Sequence, residues 1–243
     1  MRGYVAGLWT SGVPARDVVM GEQRGNPMRR LMLLGVWLWC VVVLASEEAK
    51  PPEGAIVLFD GKDTSKWNNA KVTPEGCLEM GAITKDKFGD CQLHLEFNIQ
   101  PDPSGKKVSG NSGVYIQQRY EIQILNTAGQ PPQKGGCGAI YQFKAADTNQ
   151  AKPPGEWQTY DITFRAPRWD DAKKKTENAR ISVVHNGVKV QDNVEVPRKT
   201  GAGKAEGPEP GPLYLQNHGN KVFFRNVWLL PLKAEPAAKA DTK

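Results

Sequence analysis

Cysteine and histidine are scarce in this chain, four and three among 243 residues, and no two cysteines stand in a CxxC pair. Neither a zinc knuckle nor a redox motif is supported, because both need thiols at close spacing. Helical periodicity is also scarce, which argues against helix bundles and alternating strand–helix folds. The longest apolar run, residues 31–44, is about 14 residues, short of the roughly 20 a spanning helix needs. A clustered basic face is missing too. Lys173, Lys174 and Lys175 form the one compact basic run, beside Asp170 and Asp171, so a nucleic-acid partner is not expected.

What is present at the start of the chain reads as a processing signal. Arg29 and Arg30 precede the apolar run, and Val43-Leu44-Ala45 offers small residues where a signal peptidase cuts. Residues 1–45 are therefore expected to be a leader cleaved near Ala45, with Met28 as the true start and the mature protein secreted or periplasmic. Removing them takes away five basic and two acidic residues, leaving 27 against 24. The basic balance of +6 is thus partly the leader's. Residues 46–53 read as a linker, 54–232 as a single domain and 233–243 as a disordered tail. Cys77, Cys91 and Cys137 remain, an odd number. Cys77 and Cys91 flank an expected hairpin and could pair in an oxidising compartment. Three unpaired buried thiols are the other reading, and the oligomeric state is not legible.

Strand-like runs occupy residues 55–59, 77–84, 91–100, 113–117, 120–125, 139–143, 157–166, 180–185, 188–192, 211–217 and 222–230. They are rich in Val, Ile, Phe, Tyr and Trp and bounded by turn residues. Asn186-Gly187 is a two-residue hairpin signal, since both central positions of that turn need positive φ. Short strands without intervening helices indicate an all-β sandwich. Trp67, Trp157, Trp228, Phe97 and Phe224 are expected in its core.

Two of these segments carry the chemistry. Side chains alternate faces along a strand. Val114, Ile116, Ile122 and Ile124 therefore share one face, while Tyr115, Gln117, Glu121 and Gln123 share the other. Leu213 and Leu215 likewise oppose Tyr214, Gln216 and His218. A carboxylate, amides, aromatics and an imidazole on one side of a sheet make a sugar-binding surface. Glu121 is expected as a catalytic or coordinating carboxylate, and His218, at a strand end, as a base or acid near neutral pH. Asn111, Tyr115, Gln117, Gln123, Tyr214, Gln216 and Arg225 are the expected substrate contacts, with Arg225 alternatively pairing a carboxylate. His94 is expected to face solvent and His185 to sit at a turn, away from the cluster. A divalent ion on Glu121, His218 and a nearby oxygen is conceivable, although no tight ligand spacing stands in the sequence.

Several stretches in order resemble one family: Leu58-Phe59-Asp60-Gly61-Lys62-Asp63 with Trp67, Asn111-Ser112-Gly113-Val114-Tyr115, Tyr120-Glu121-Ile122-Gln123-Ile124-Leu125, Gly155-Glu156-Trp157, and the closing residues 211–229. Together they resemble the 3-keto-disaccharide hydrolase domain over about residues 54–232. Asn217 stands where that family often has Asp, and an amide cannot act as a base. The resemblance implies a concanavalin A-like, two-sheet antiparallel jelly-roll sandwich. It also implies sugar substrates carrying a ketone at carbon 3. Such a ketone acidifies the C2 proton; the enolate formed expels the glycosidic oxygen at C1, and water can add to the resulting enone. The competing expectation is a lectin-like module that binds a glycan and catalyses nothing, since fold alone never establishes chemistry.

Overall fold

The computed structural model describes residues 49–233. The expected leader and all but the first residue of the expected tail lie outside them. In chain order the strands are β1 (Ile56–Phe59), β2 (Trp67–Asn68), β3 (Leu78–Glu79), β4 (Ile83–Thr84), β5 (Cys91–Ile99), β6 (Ser112–Ile116) and β7 (Tyr120–Ile124). They continue as β8 (Trp157–Arg165), β9 (Arg168–Trp169), β10 (Lys175–Glu177), β11 (Ala179–His185), β12 (Val188–Val196), β13 (Tyr214–Leu215) and β14 (Val222–Pro231). No helix forms among the described residues.

A larger sheet runs β1-β14-β5-β8-β11-β12, with β3 also on β14, and a smaller one runs β2-β4-β13-β6-β7. Every pairing is antiparallel, and the two form a jelly-roll sandwich. Alternation explains the packing. Leu93, Leu95 and Phe97 of β5 and Tyr160, Ile162 and Phe164 of β8 point inward from the larger sheet. Val114, Ile116, Ile122 and Ile124 meet them from the smaller one. Each such side chain, fully withdrawn from water, contributes about 1.5–3 kcal/mol.

Asn186 and Gly187 take φ of 50° and 79°, as their hairpin requires. Other expectations change. Residues 139–143 do not form a strand: Gly138 and Gln142 have positive φ, and Phe143 and Lys144 both donate back to Ile140 O, so the chain curls. Residues 77–84 break into β3 and β4 around Gly81, whose φ is 97°. Cys77, Cys91 and Cys137 are all free thiols, which favours the unpaired of the two readings, although Cys77 is only half-buried.

The outer face of the larger sheet departs most from expectation. His94 is buried, its Nδ1 2.6 Å from Asp161 Oδ1 and its ring stacked on Trp228 at 5.0 Å. Glu96 is also buried and accepts from Arg225 Nε (2.8 Å) and Asn226 Nδ2 (3.1 Å). Trp157 is half-buried rather than core, with the Arg225 guanidinium 4.1 Å above its ring. These pairs exist because β5 is central, so its outward polar side chains are covered by neighbours from β8 and β14.

Candidate functional site

The register of the smaller sheet lines up Tyr214 on β13, Tyr115 on β6 and Glu121 on β7 as direct cross-strand partners. Directly opposed residues share a face, so three of the expected site residues form one row. The adjacent position pairs Gly113 with Gln123, and Gln216 N donates to Gly113 O at 2.8 Å. Gly113 matters for space. A Cβ there would lie 2.5 Å from Glu121 Oε1, so the carboxylate occupies room that only glycine leaves.

Glu121 is 1% exposed, not solvent-facing. Its Oε2 accepts from the Tyr115 hydroxyl at 2.6 Å. The Gln123 amide lies 3.1 Å from the Asn111 side chain. With its nitrogen turned to the carboxylate, it donates to Glu121 Oε1 (3.3 Å) and Ser112 O (3.0 Å). Burial raises the Glu121 carboxyl to about 7, against the opposing pulls of the Tyr115 hydrogen bond and the His218 charge. Burial and the neighbouring carboxylate push the Tyr115 phenol well above its ordinary range. At neutral pH the phenol therefore keeps its proton, and the carboxyl, titrating near 7, stands close to half protonated.

A strap, residues 197–211, seals this pair from above. Thr200 Oγ1 accepts from Glu121 N at 2.8 Å, and Ala202 N donates to the Tyr115 hydroxyl at 3.3 Å. A Cβ on Gly201 would meet Glu121 Oε2 at 2.6 Å and Tyr141 at 2.8 Å. The strap is tied to the β6–β7 turn, where Gln117 and Gln118 both take left-handed φ, 56° and 54°. Such conformations are uncommon for non-glycine residues, and several bonds hold these two. Gln117 Nε2 donates to Phe88 O (2.9 Å), Arg119 Nη1 donates to Gln117 Oε1 (2.8 Å), and Lys204 N donates to Gln118 O (2.7 Å). Arg119 also donates to Ala205 O and Glu209 O.

Beside the sealed pair the same face opens into a cavity of about 360 Å³, lined by Tyr115, Gln118, Ala202, Lys204, Tyr214, Gln216, Asn217 and His218. His218 is exposed. Asn217 shapes its presentation: Oδ1 accepts from Gly219 N at 3.0 Å, and Gly219 takes φ of 76°. This role needs an acceptor and no charge, so the amide serves it. Gln216 also lines the cavity, and its Oε1 is buried with no hydrogen-bond partner.

The expected residues thus divide. Tyr115, Tyr214, Gln216 and His218 line the cavity. Glu121, Gln123 and Asn111 lie behind it, joined to one another. Gln117 is spent on Phe88 and Arg119. Arg225 stands on the larger sheet with Glu96 and Trp157, away from Glu121. His185 is buried, bonded to Gln158, and burial pulls it down to about 4. Thr200, Gly201, Ala202 and Lys204 were not singled out from the sequence; their only signal is their place in a long polar loop, residues 198–211, of the kind that commonly rims a site. Gly113 stands inside the Asn111-Ser112-Gly113-Val114-Tyr115 stretch, with no role assigned to it there. The geometry does not fit a cation on Glu121 and His218. The carboxylate is turned into Tyr115 and Gln123 under Gly201, and no group of three suitable ligands occurs among the described residues.

The 3-keto-alpha-glucoside-1,2-lyase-like domain family matches residues 54–230. A Parabacteroides distasonis ATCC 8503 protein, provisionally named a glycosyl hydrolase, is 30% identical, with a TM-score of 0.66 over 76% of this chain and 93% of that one. A second such protein from the same organism is 22% identical, with a TM-score of 0.53 over 74% and 95%, and shares the fold. No curated protein matches the chain.

Proposed function

Because the chain belongs to the 3-keto-alpha-glucoside-1,2-lyase-like family, we propose that it cleaves 3-keto-glycosides, disaccharides among them, by elimination across C1 and C2 followed by hydration. The observation that carries this reading is an exposed imidazole on the cavity, with a buried carboxyl of raised pKa behind its wall and hydrogen-bonded to the cavity-lining Tyr115. Elimination needs one group to take a proton and another to return one. His218, open to the cavity, takes the C2 proton made acidic by the C3 ketone. The electron pair passes into the enolate and then expels the glycosidic oxygen, leaving the enone. Protonated Glu121 is the proton store for that departing oxygen. Water adding its oxygen to C1 and its proton to C2 completes a net hydrolysis. Tyr214, half-buried with its ring 5.9 Å from that of Tyr115, offers an aromatic face to the sugar, and Gln216 Oε1 accepts from a hydroxyl. Residues 29–45, read from the sequence as a leader, are in keeping with action outside the cytoplasm.

The test is incubation with 3-keto-trehalose and a 3-keto-glucoside, following released sugar. Wild type is expected to release it and His218→Ala to fall by about 100-fold or more. Saturable binding of ordinary glycans without turnover of either keto-sugar would instead make this a lectin-like module.

A further inference from the structure

We propose that Tyr115, not Glu121, hands the proton to the leaving sugar oxygen, and that Glu121 acts only through it; this rests on the elimination reading above. The argument is one of access. Glu121 is 1% exposed and does not line the cavity, whereas Tyr115 does. Gly201 lies against Oε2, Gly113 lies against Oε1, and Thr200 holds the backbone of Glu121 itself. The remaining way from the carboxyl to the cavity is the 2.6 Å line from Oε2 to the Tyr115 hydroxyl. Ala202, whose N–H meets that hydroxyl, lines the cavity as well. The phenol oxygen therefore sits where carboxyl, strap and cavity meet.

The step balances. The Tyr115 O–H bond breaks as its proton passes to the glycosidic oxygen, and the Glu121 proton moves onto the phenol oxygen. The C1–O bond breaks, its electrons going to the leaving oxygen, while the enolate electrons form the C1–C2 double bond. Glu121 ends as carboxylate and His218 as imidazolium, the latter carrying the C2 proton. The Ala202 N–H steadies the partial negative charge on the phenol oxygen during transfer. Charged or titratable groups around the relay are Tyr141, His218 and Lys204.

Tyr115→Phe, Glu121→Gln and His218→Ala decide this, each assayed on 3-keto-trehalose and on 4-nitrophenyl 3-keto-glucoside. The nitrophenolate leaves without an acid. Tyr115→Phe is expected to lose about 100-fold in kcat on the disaccharide, with KM little changed, and to recover most of that on the nitrophenyl substrate. Glu121→Gln should follow the same pattern and lose the fall in kcat/KM above pH about 7 that is expected of wild type. His218→Ala should stay slow on both. Deuterium exchange at C2 in D2O reads the earlier step separately, and Tyr115→Phe should keep it. Equal losses on both substrates, or loss of exchange in Tyr115→Phe, would overturn the relay and leave the elimination reading standing. No turnover by wild type would remove both.

Discussion

At the scale of single residues, the position of Glu121 costs stability as it supplies a proton. Its carboxyl titrates higher in the fold than in the unfolded chain, about 7 against 4.5. A raised pKa means the folded state binds the proton more tightly. Its stabilising effect is complete below about 4.5 and is lost as pH rises through about 7, a swing on the order of 3 kcal/mol. Glu121→Gln is therefore expected to unfold at higher temperature than wild type at pH 8, with the gap closing at pH 4. A constant gap across that range would contradict the assignment. Gly113→Ala should be destabilised by about 1–3 kcal/mol, the usual cost of overpacking, since its Cβ would overlap the carboxylate. Denaturant midpoints check this. Sequence periodicity placed Tyr115, Glu121 and Gln123 on one face correctly, because alternation is a property of the strand alone. It could not show that the face is roofed, because the roof comes from a strap about 80 positions further along the chain.

At the scale of elements, the strap and the β6–β7 turn act as one unit. Arg119 sends three hydrogen bonds into Ala205 O, Glu209 O and Gln117 Oε1, and its own carbonyl accepts from Thr200 N at 2.9 Å. Arg119→Ala removes the side-chain ties and keeps the backbone one. A loss of about 2–3 kcal/mol is expected, with faster amide exchange confined to residues 200–211. Exchange that speeds equally through β8 and β11 would mean that the strap is not a separate unit. Strand existence was mostly legible from composition and turn residues. Length was not: the runs at 77–84 and 211–217 shrink to short β3, β4 and β13, because Gly81 and the strap connections decide where pairing stops. The sequence leaves Arg225 either as a substrate contact or as the partner of Glu121 or another carboxylate. Its true partner, Glu96, could be known only from which strands are neighbours.

At the scale of the whole molecule, the sandwich buries its thiols instead of linking them. Cys91 is 1% exposed and burial pushes it up to about 12, while Cys137 lies 3.1 Å from the Tyr160 hydroxyl in the core. Of these two and half-buried Cys77, iodoacetamide is expected to label Cys77 alone in the native protein and all three after unfolding. Reductant should leave the melting temperature unchanged. Native labelling of Cys91 or Cys137 would mean a core loose enough to admit the reagent, against their near-complete burial. The all-β class and the two-layer order were readable because hydrophobic alternation recurs in almost every run. The division of labour between the layers was not, since both carry buried polar groups on their outer sides. Ala49 O accepts from Asn226 Nδ2 at 3.0 Å, pinning the incoming chain to the outer side of the larger sheet, with the cavity mouth on the reverse of the sandwich. A resin tether at Ala49 itself would grip the molecule by its back and leave the mouth facing the bulk solution.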